Sequence, residues 1–370
     1  MKNTKMKILF LLAVASMAFF GCRTVRGDIV FDPVDHRARE ALAAIEETII
    51  LLDGRGANRE GIINVRQQIA ALEGTVADND FQAKLAAWSG RLFLMEGRSS
   101  DAQREFQRSQ NLSPLNLPSQ ILAFRLERDL PRRLNIIDER LLIEGPLGEI
   151  LTERGRVLFD MNRFSEAVGA FDSAFIALRE KPHYEEAYSQ FRNKAWELRD
   201  LVQDTGVRTV EIARQGEISW ANLIEITRTE TDFLRFITAG RDWPIETIFS
   251  QLLARAFIPA TQDTTLTTWP HSNPSSEEVV LRSGAAWFLW HLNAQKRSNR
   301  GLLTRYSSRF ATMPNARSPI PDLDIWSPFL DSILGCVEFE FMSLPDGRNF
   351  MPHERVRGSD FLSMLLKLRS

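Results

Sequence analysis

The sequence predicts a mainly α-helical protein, and three observations carry that expectation. Apolar residues from Ala38 onward recur every three or four positions, the period of an amphipathic helix. One pattern of small and aromatic residues returns at a fixed offset of 65 residues. Beyond about residue 195 the chain reads as short helices separated by proline-containing loops. A length of 370 residues suggests about two domains, and 44% hydrophobic with 25% charged residues is ordinary globular composition. Lys and Arg number 46 against 48 Asp and Glu, a net charge of −2 that supplies no footprint for nucleic acid. Two cysteines build neither a disulfide framework nor a cysteine-rich zinc site, and five scattered histidines offer little for a metal cluster.

Residues 1–21 read as an export signal rather than as part of the fold. Lys2, Lys5 and Lys7 precede a 13-residue apolar run, Ile8 to Phe20, which is too short to span roughly 30 Å of hydrocarbon. The run ends in Phe19-Phe20-Gly21-Cys22, a small residue directly before a cysteine. This resembles the lipobox of bacterial lipoproteins, with Phe19 where leucine is usual. The resemblance implies cleavage before Cys22 and acylation of Cys22, hence a membrane as the first partner. Loss of three lysines takes the formal charge from −2 to −5, and a thioether at Cys22 leaves Cys336 as the lone thiol. Residues 22–37 are expected to act as a tether, because Arg23 to Val34 carry no apolar period.

Residues 38–204 form the expected helical-repeat domain. Ala38, Leu42, Ile45, Ile49 and Leu52 share one helix face up to Gly54, and Ile62, Val65, Ile69 and Leu72 share another up to Gly74. Then Gly90, Phe93, Gly97, Ala102 and Phe106 recur as Gly155, Leu158, Asn162, Ala167 and Phe171. Small Gly90 and Ala102 suit the contact between paired helices, Gly97 suits the turn, and Pro114 follows a helix that has already ended. These units, roughly 81–114 and 148–182, resemble the tetratricopeptide repeat, with Ile121 to Leu141, broken at Pro131, as a degenerate unit between them. The resemblance implies stacked helical hairpins with a surface for a protein partner. Glu185-Glu186 and the arginines at 125, 128, 132 and 133 are expected on solvated faces.

Residues 205–370 differ in character. Seven of eight tryptophans lie from Trp196 onward and ten of sixteen prolines from Pro244 onward, with 257–276 and 311–328 expected as loops. Near the end, Trp326, Phe329, Ile333 and Leu334 share a helical face, and Pro345-Asp346-Gly347 is a turn. Phe350 and Pro352 follow, then Val356-Arg357-Gly358-Ser359-Asp360 opens a helix through Met364, Leu365 and Leu368. This resembles an S-layer homology repeat. Fainter copies are expected at Trp243 to Leu292, around Val280-Leu281-Arg282-Ser283-Gly284, and at Ile218-Ser219-Trp220-Ala221-Asn222, whose first helix is unclear. The resemblance implies two to three repeats that bind cell-wall glycan in their grooves. Arg282 alone matches the signature arginine; Trp220 and Gly358 stand in its place elsewhere, and no copy keeps the signature glutamate. The module is therefore expected to persist for packing or partner binding, with Arg282 as the single candidate glycan contact.

No hydrolase elbow, phosphate loop, zinc-protease helix or dinucleotide fingerprint occurs in the sequence. Cys336 is expected to be buried, the pairs Asp322/Asp324 and Glu338/Glu340 to be solvated, and Trp287-Phe288-Leu289-Trp290 to be core rather than a sugar platform. His353 beside Glu354 lacks a third ligand in the sequence. The expected function is that of a non-enzymatic envelope lipoprotein without cofactor, docking a protein partner through its repeats. The alternatives are small-molecule binding beside a solute transporter, and cell-wall glycan anchoring by the second module.

Overall fold

The computed structural model describes residues 33–370 except 203–204, 266–273 and 314–315. The signal segment, Cys22 and residues 23–32 of the expected tether lie outside the described residues, whereas 33–37, also expected in the tether, already belong to the first helix. Among the described residues are seventeen α-helices and no strand, so the chain is mainly α. None of these helices is long and apolar enough to cross a membrane. Two compact units form, one ending at Leu126 and one beginning at Glu127, so the compositional shift near residue 195 falls inside the second.

The first unit holds α1 (Pro33–Arg55), α2 (Arg59–Leu72), α3 (Asn79–Met95), α4 (Ser99–Leu112) and α5 (Leu117–Leu126). Ala38, Leu42, Ile45 and Ile49 bury one stripe of α1, and Ile62, Val65 and Ile69 bury one stripe of α2. Each buried Leu, Ile or Val among them contributes about 1.5–3 kcal/mol by leaving water. Asn58 caps α2 by accepting from the Gly61 amide at 2.7 Å. Arg125 is not on a solvated face: it forms a two-pronged pair with Asp53 at 2.6 and 2.8 Å, and buried Arg91 reaches the same carboxylate at 3.2 Å. The cluster ties α1, α3 and α5 at one point.

The second unit opens with α6 (Leu130–Glu144), α7 (Gly148–Asp160), α8 (Phe164–Ala177) and α9 (His183–Leu198). Pro131 does not break a helix but sits in the first turn of α6, behind the Asp129 cap, where a missing amide costs nothing. The α7–α8 hairpin repeats α3–α4 in detail. Both hairpins turn through a left-handed residue, Gly97 at φ 74° and Asn162 at φ 60°. Both close with a backbone hydrogen bond of 2.9 Å, the Arg98 amide donating to the Phe93 carbonyl and the Arg163 amide to the Leu158 carbonyl. In both, that arginine pairs with an acid three residues on, Asp101 or Glu166. A Cβ on Gly90 would lie 3.3 Å from the Ala102 carbonyl, and one on Gly155 would lie 2.9 Å from the Phe171 ring. Phe171 is fully buried. Phe93 and Phe106 are only half-buried, and Phe93 lies beneath the Arg66 and Arg98 guanidinium groups.

The remaining longer helices follow one another along the chain as three first-and-second sets. The first members are α10 (Val207–Ala213), α13 (Ile245–Ala254) and α16 (Leu330–Glu338). The second members are α11 (Trp220–Glu230), α14 (Arg282–Lys296) and α17 (Gly358–Arg369); the short α12 (Arg235–Thr238) and α15 (Arg305–Phe310) lie in the connections. Just before each second helix the backbones join in a closed ring: Ile218 donates to Val356 at 3.1 Å, Val356 to Val280 at 3.0 Å, and Val280 to Ile218 at 2.9 Å. The first helices follow the same cycle, α10 packing on α17, α13 on α11 and α16 on α14. The helix missing from the sequence reading of the first copy is α10. Trp220, Phe288, Trp290, Phe329, Phe350 and Phe361 are fully buried in this core. Trp326 is not: it is 70% exposed, because α16 begins only at Leu330 and Trp326 lies in the turn before it.

Candidate functional site

The three helix starts of the ring are where the S-layer-homology resemblance puts its candidate glycan contact, and each is occupied differently. At the first, Trp220 is wholly buried and meets Phe288 edge-on at 6.5 Å. Ser219 caps this helix in a reciprocal box with Asn222. At the third, Gly358 leaves room for the backbone of α10: a Cβ there would stand 1.9 Å from the Ile212 carbonyl oxygen. Only at the second does a long polar side chain remain.

Arg282 opens α14, its amide donating to Glu354 at 2.8 Å. Its side chain runs beneath the loop 341–352. Nε donates to the Phe350 carbonyl at 2.9 Å and Nη2 to the Ser343 carbonyl at 2.8 Å, with the guanidinium 4.8 Å from the Phe350 ring centre. Burial lowers its pKa from the ordinary arginine value, against the pull of Glu354, Asp360 and Asp322. The loop is shaped by Pro345-Asp346-Gly347: Gly347 adopts φ 74°, and Asp346 accepts from the amides of Arg348 and Asn349 at 2.8 and 2.6 Å. The Asn349 and Arg348 amides hold the Asp346 carboxyl below its ordinary range. Asp322 clamps the far end, accepting from the Phe350 and Met351 amides at 2.9 and 2.7 Å.

Between this loop and α17 lies a cavity of about 630 Å³. Arg282, Arg355, Arg357 and Lys367 line it with Glu354 and Asp360, an excess of two positive charges. Its size is that of a small-ligand site, and its sign favours an anion. Arg282 therefore acts first as a loop clamp; its Nη1 has no hydrogen-bond partner among the described residues.

The other nominated groups are structural. Asp322 and Asp324 are not merely solvated, since Asp324 accepts from the Trp326 amide at 2.8 Å. Glu338 accepts from the Tyr306 hydroxyl at 2.6 Å and pairs with Arg305 at 3.0 Å. Cys336 is buried, its thiol donating to the Ala286 carbonyl at 3.3 Å, and burial raises its pKa. His353 Nε2 lies 3.5 Å from Thr264 Oγ1. Phe288, Leu289 and Trp290 are core, while Trp287 lines an apolar groove with Leu253, Ile258 and Pro259. No group of three or more His, Cys, Asp or Glu among the described residues is placed to hold a metal ion.

No protein-family model, no curated protein and no solved structure matches this chain.

Proposed function

We propose that this protein is a non-enzymatic lipoprotein of a bacterial envelope that docks a protein partner through its helical hairpins. The observation that carries this reading is the apolar surface of the second unit: Leu142 is 87% exposed, Ile143 75% and Ile176 76%. Leu142 and Ile143 end α6 and lead directly into Pro146 and Leu147, also exposed. Leu142, Ile143, Pro146 and Leu147 are all exposed within six consecutive residues, and apolar side chains gathered in this way mark an interaction site more often than isolated ones do. The matched geometry of the two hairpins supports a tetratricopeptide-like array, and the backbone ring supports a degenerate S-layer-homology-like module. Acylation at Cys22 is the proposed anchor, with more than one chain needed for stable attachment. A pull-down with the lipid-free chain tests the docking: Leu142→Asp with Ile143→Asp should abolish a capture that Glu185→Gln leaves intact. Capture that survives both apolar substitutions refutes this surface.

A second reading is favoured by the cavity at Arg282. Its positive lining suits a carboxylated or otherwise anionic sugar, as glycan anchoring requires. Lys367→Glu with Arg355→Glu should remove binding of an acidic glycan, and unchanged binding rejects this reading.

A further inference from the structure

Helix α9 meets the start of α17 through four charges and one hydroxyl. Lys194 Nζ donates to Ser359 Oγ at 2.9 Å and lies 3.4 Å from Glu197 Oε2. Ser359 Oγ donates in turn to Glu197 Oε1. Arg357 grips Asp360 with two contacts of 2.9 Å, and its Nη2 lies 3.8 Å from Glu197. Burial works against the charge on Glu197, yet the Ser359 hydroxyl, Lys194 and Arg357 together hold its carboxyl below the ordinary range. Arg357 and Asp360 also line the cavity beneath the 341–352 loop. One guanidinium thus faces a cavity on one side and a carboxylate of α9 on the other.

We propose that Glu197 sets the anion affinity of the cavity by competing for Arg357, which couples filling of the cavity to the seating of α9. This rests on the anionic-ligand reading above. A carboxylate on α9 draws the guanidinium and lowers the positive potential available to a ligand. Lys194 works the other way, because it neutralises the same carboxylate. Binding linkage is reciprocal, so an anion in the cavity draws Arg357 toward itself and loosens α9. Glu197 and Lys194 are positioning residues, since neither lines the cavity.

The test is calorimetric titration of the full chain with glucuronate, a monosaccharide carboxylate. Removing one unit charge several ångströms from the ligand at the protein surface changes affinity by about threefold. Glu197→Gln should tighten binding by about that factor, and Lys194→Met should weaken it by a similar one. Amide exchange in α9 should rise when glucuronate is added to the unsubstituted chain. A purely structural role would move both variants in the same direction. Should Glu197→Gln fail to fold, weaker binding by Lys194→Met together with faster α9 exchange supports the coupling. Binding that neither variant alters overturns the coupling while leaving the anionic-ligand reading intact. Absence of binding by the unsubstituted chain overturns both.

Discussion

At Gly358 a single methyl group decides whether α10 and α17 can pack, because a Cβ would stand 1.9 Å from a backbone oxygen that cannot swing aside. Gly358→Ala should therefore destabilise by about 3 kcal/mol, read as a lower denaturant midpoint; an unchanged midpoint means the two helices do not meet there. The tryptophans divide as sharply. Trp290 is fully buried, its indole donating to the Leu302 carbonyl at 3.1 Å, and Trp290→Ala should cost about 3–5 kcal/mol. Trp326→Ala at a 70% exposed position should stay within about 0.5 kcal/mol. Apolar periodicity placed Trp326 inside because Phe329, Ile333 and Leu334 extend its face, but periodicity does not locate a helix start. His291 illustrates what no pattern reveals. It is half-buried, stacked on Trp287 at 4.4 Å, and its pKa is lowered to about 4, desolvation outweighing the hydrogen bond to the Trp287 carbonyl. The unfolded chain takes up this proton near pH 6.5 and the folded chain only near 4, so stability is full above 6.5 and declines between them. The loss should approach about 3 kcal/mol relative to His291→Phe, and equal acid sensitivity of the two would contradict a ring held neutral by the fold.

Among the elements, the hairpins were the most legible part of the sequence. The helix termini Met95, Ser99 and Leu112 return at Asp160, Phe164 and Ala177, each 65 residues on, as the small-residue spacing required. Ala102 is wholly buried with its carbonyl against Gly90, so Ala102→Leu should overpack the pair by about 1–3 kcal/mol. Ala167→Leu should do the same in the second hairpin, and thermal melts that leave either unchanged would show that these helices do not pair closely. The second-helix starts of the ring were less legible, clear at 356 and fainter at 218 and 280, and in the structure each follows an Ile or Val that enters the backbone cycle. Helix α10 was not, because its seven residues are too few to establish an apolar period. The side-chain junction of Lys194 and Glu197 with Ser359 was invisible for another reason: 165 and 162 residues separate the partners, and ion pairs leave no local signature. The same holds for Asp53 and Arg125, 72 residues apart.

On the scale of the whole molecule, composition marked a change near residue 195, whereas packing divides the described chain after Leu126. The two need not coincide. Composition records where tryptophan and proline gather, while compactness records which helices lie together, and α6 to α9 fall in one unit with the ring helices. The candidate cavity was legible only through Arg282; its other lining residues come from a loop and from α17, brought to α14 by the backbone ring. If Cys22 carries the anchor, Cys22→Ser should move the chain from the membrane fraction to the soluble fraction, and membrane retention with an unmodified N-terminus would remove that proposal. The docking claim is tested most directly by placing a photo-crosslinking residue at Ile143 in the full chain, with Glu185 as an exposed control. Light-dependent adducts with one protein at Ile143 and none at Glu185 are the predicted result; the same adducts at both positions, or none at Ile143, would contradict it.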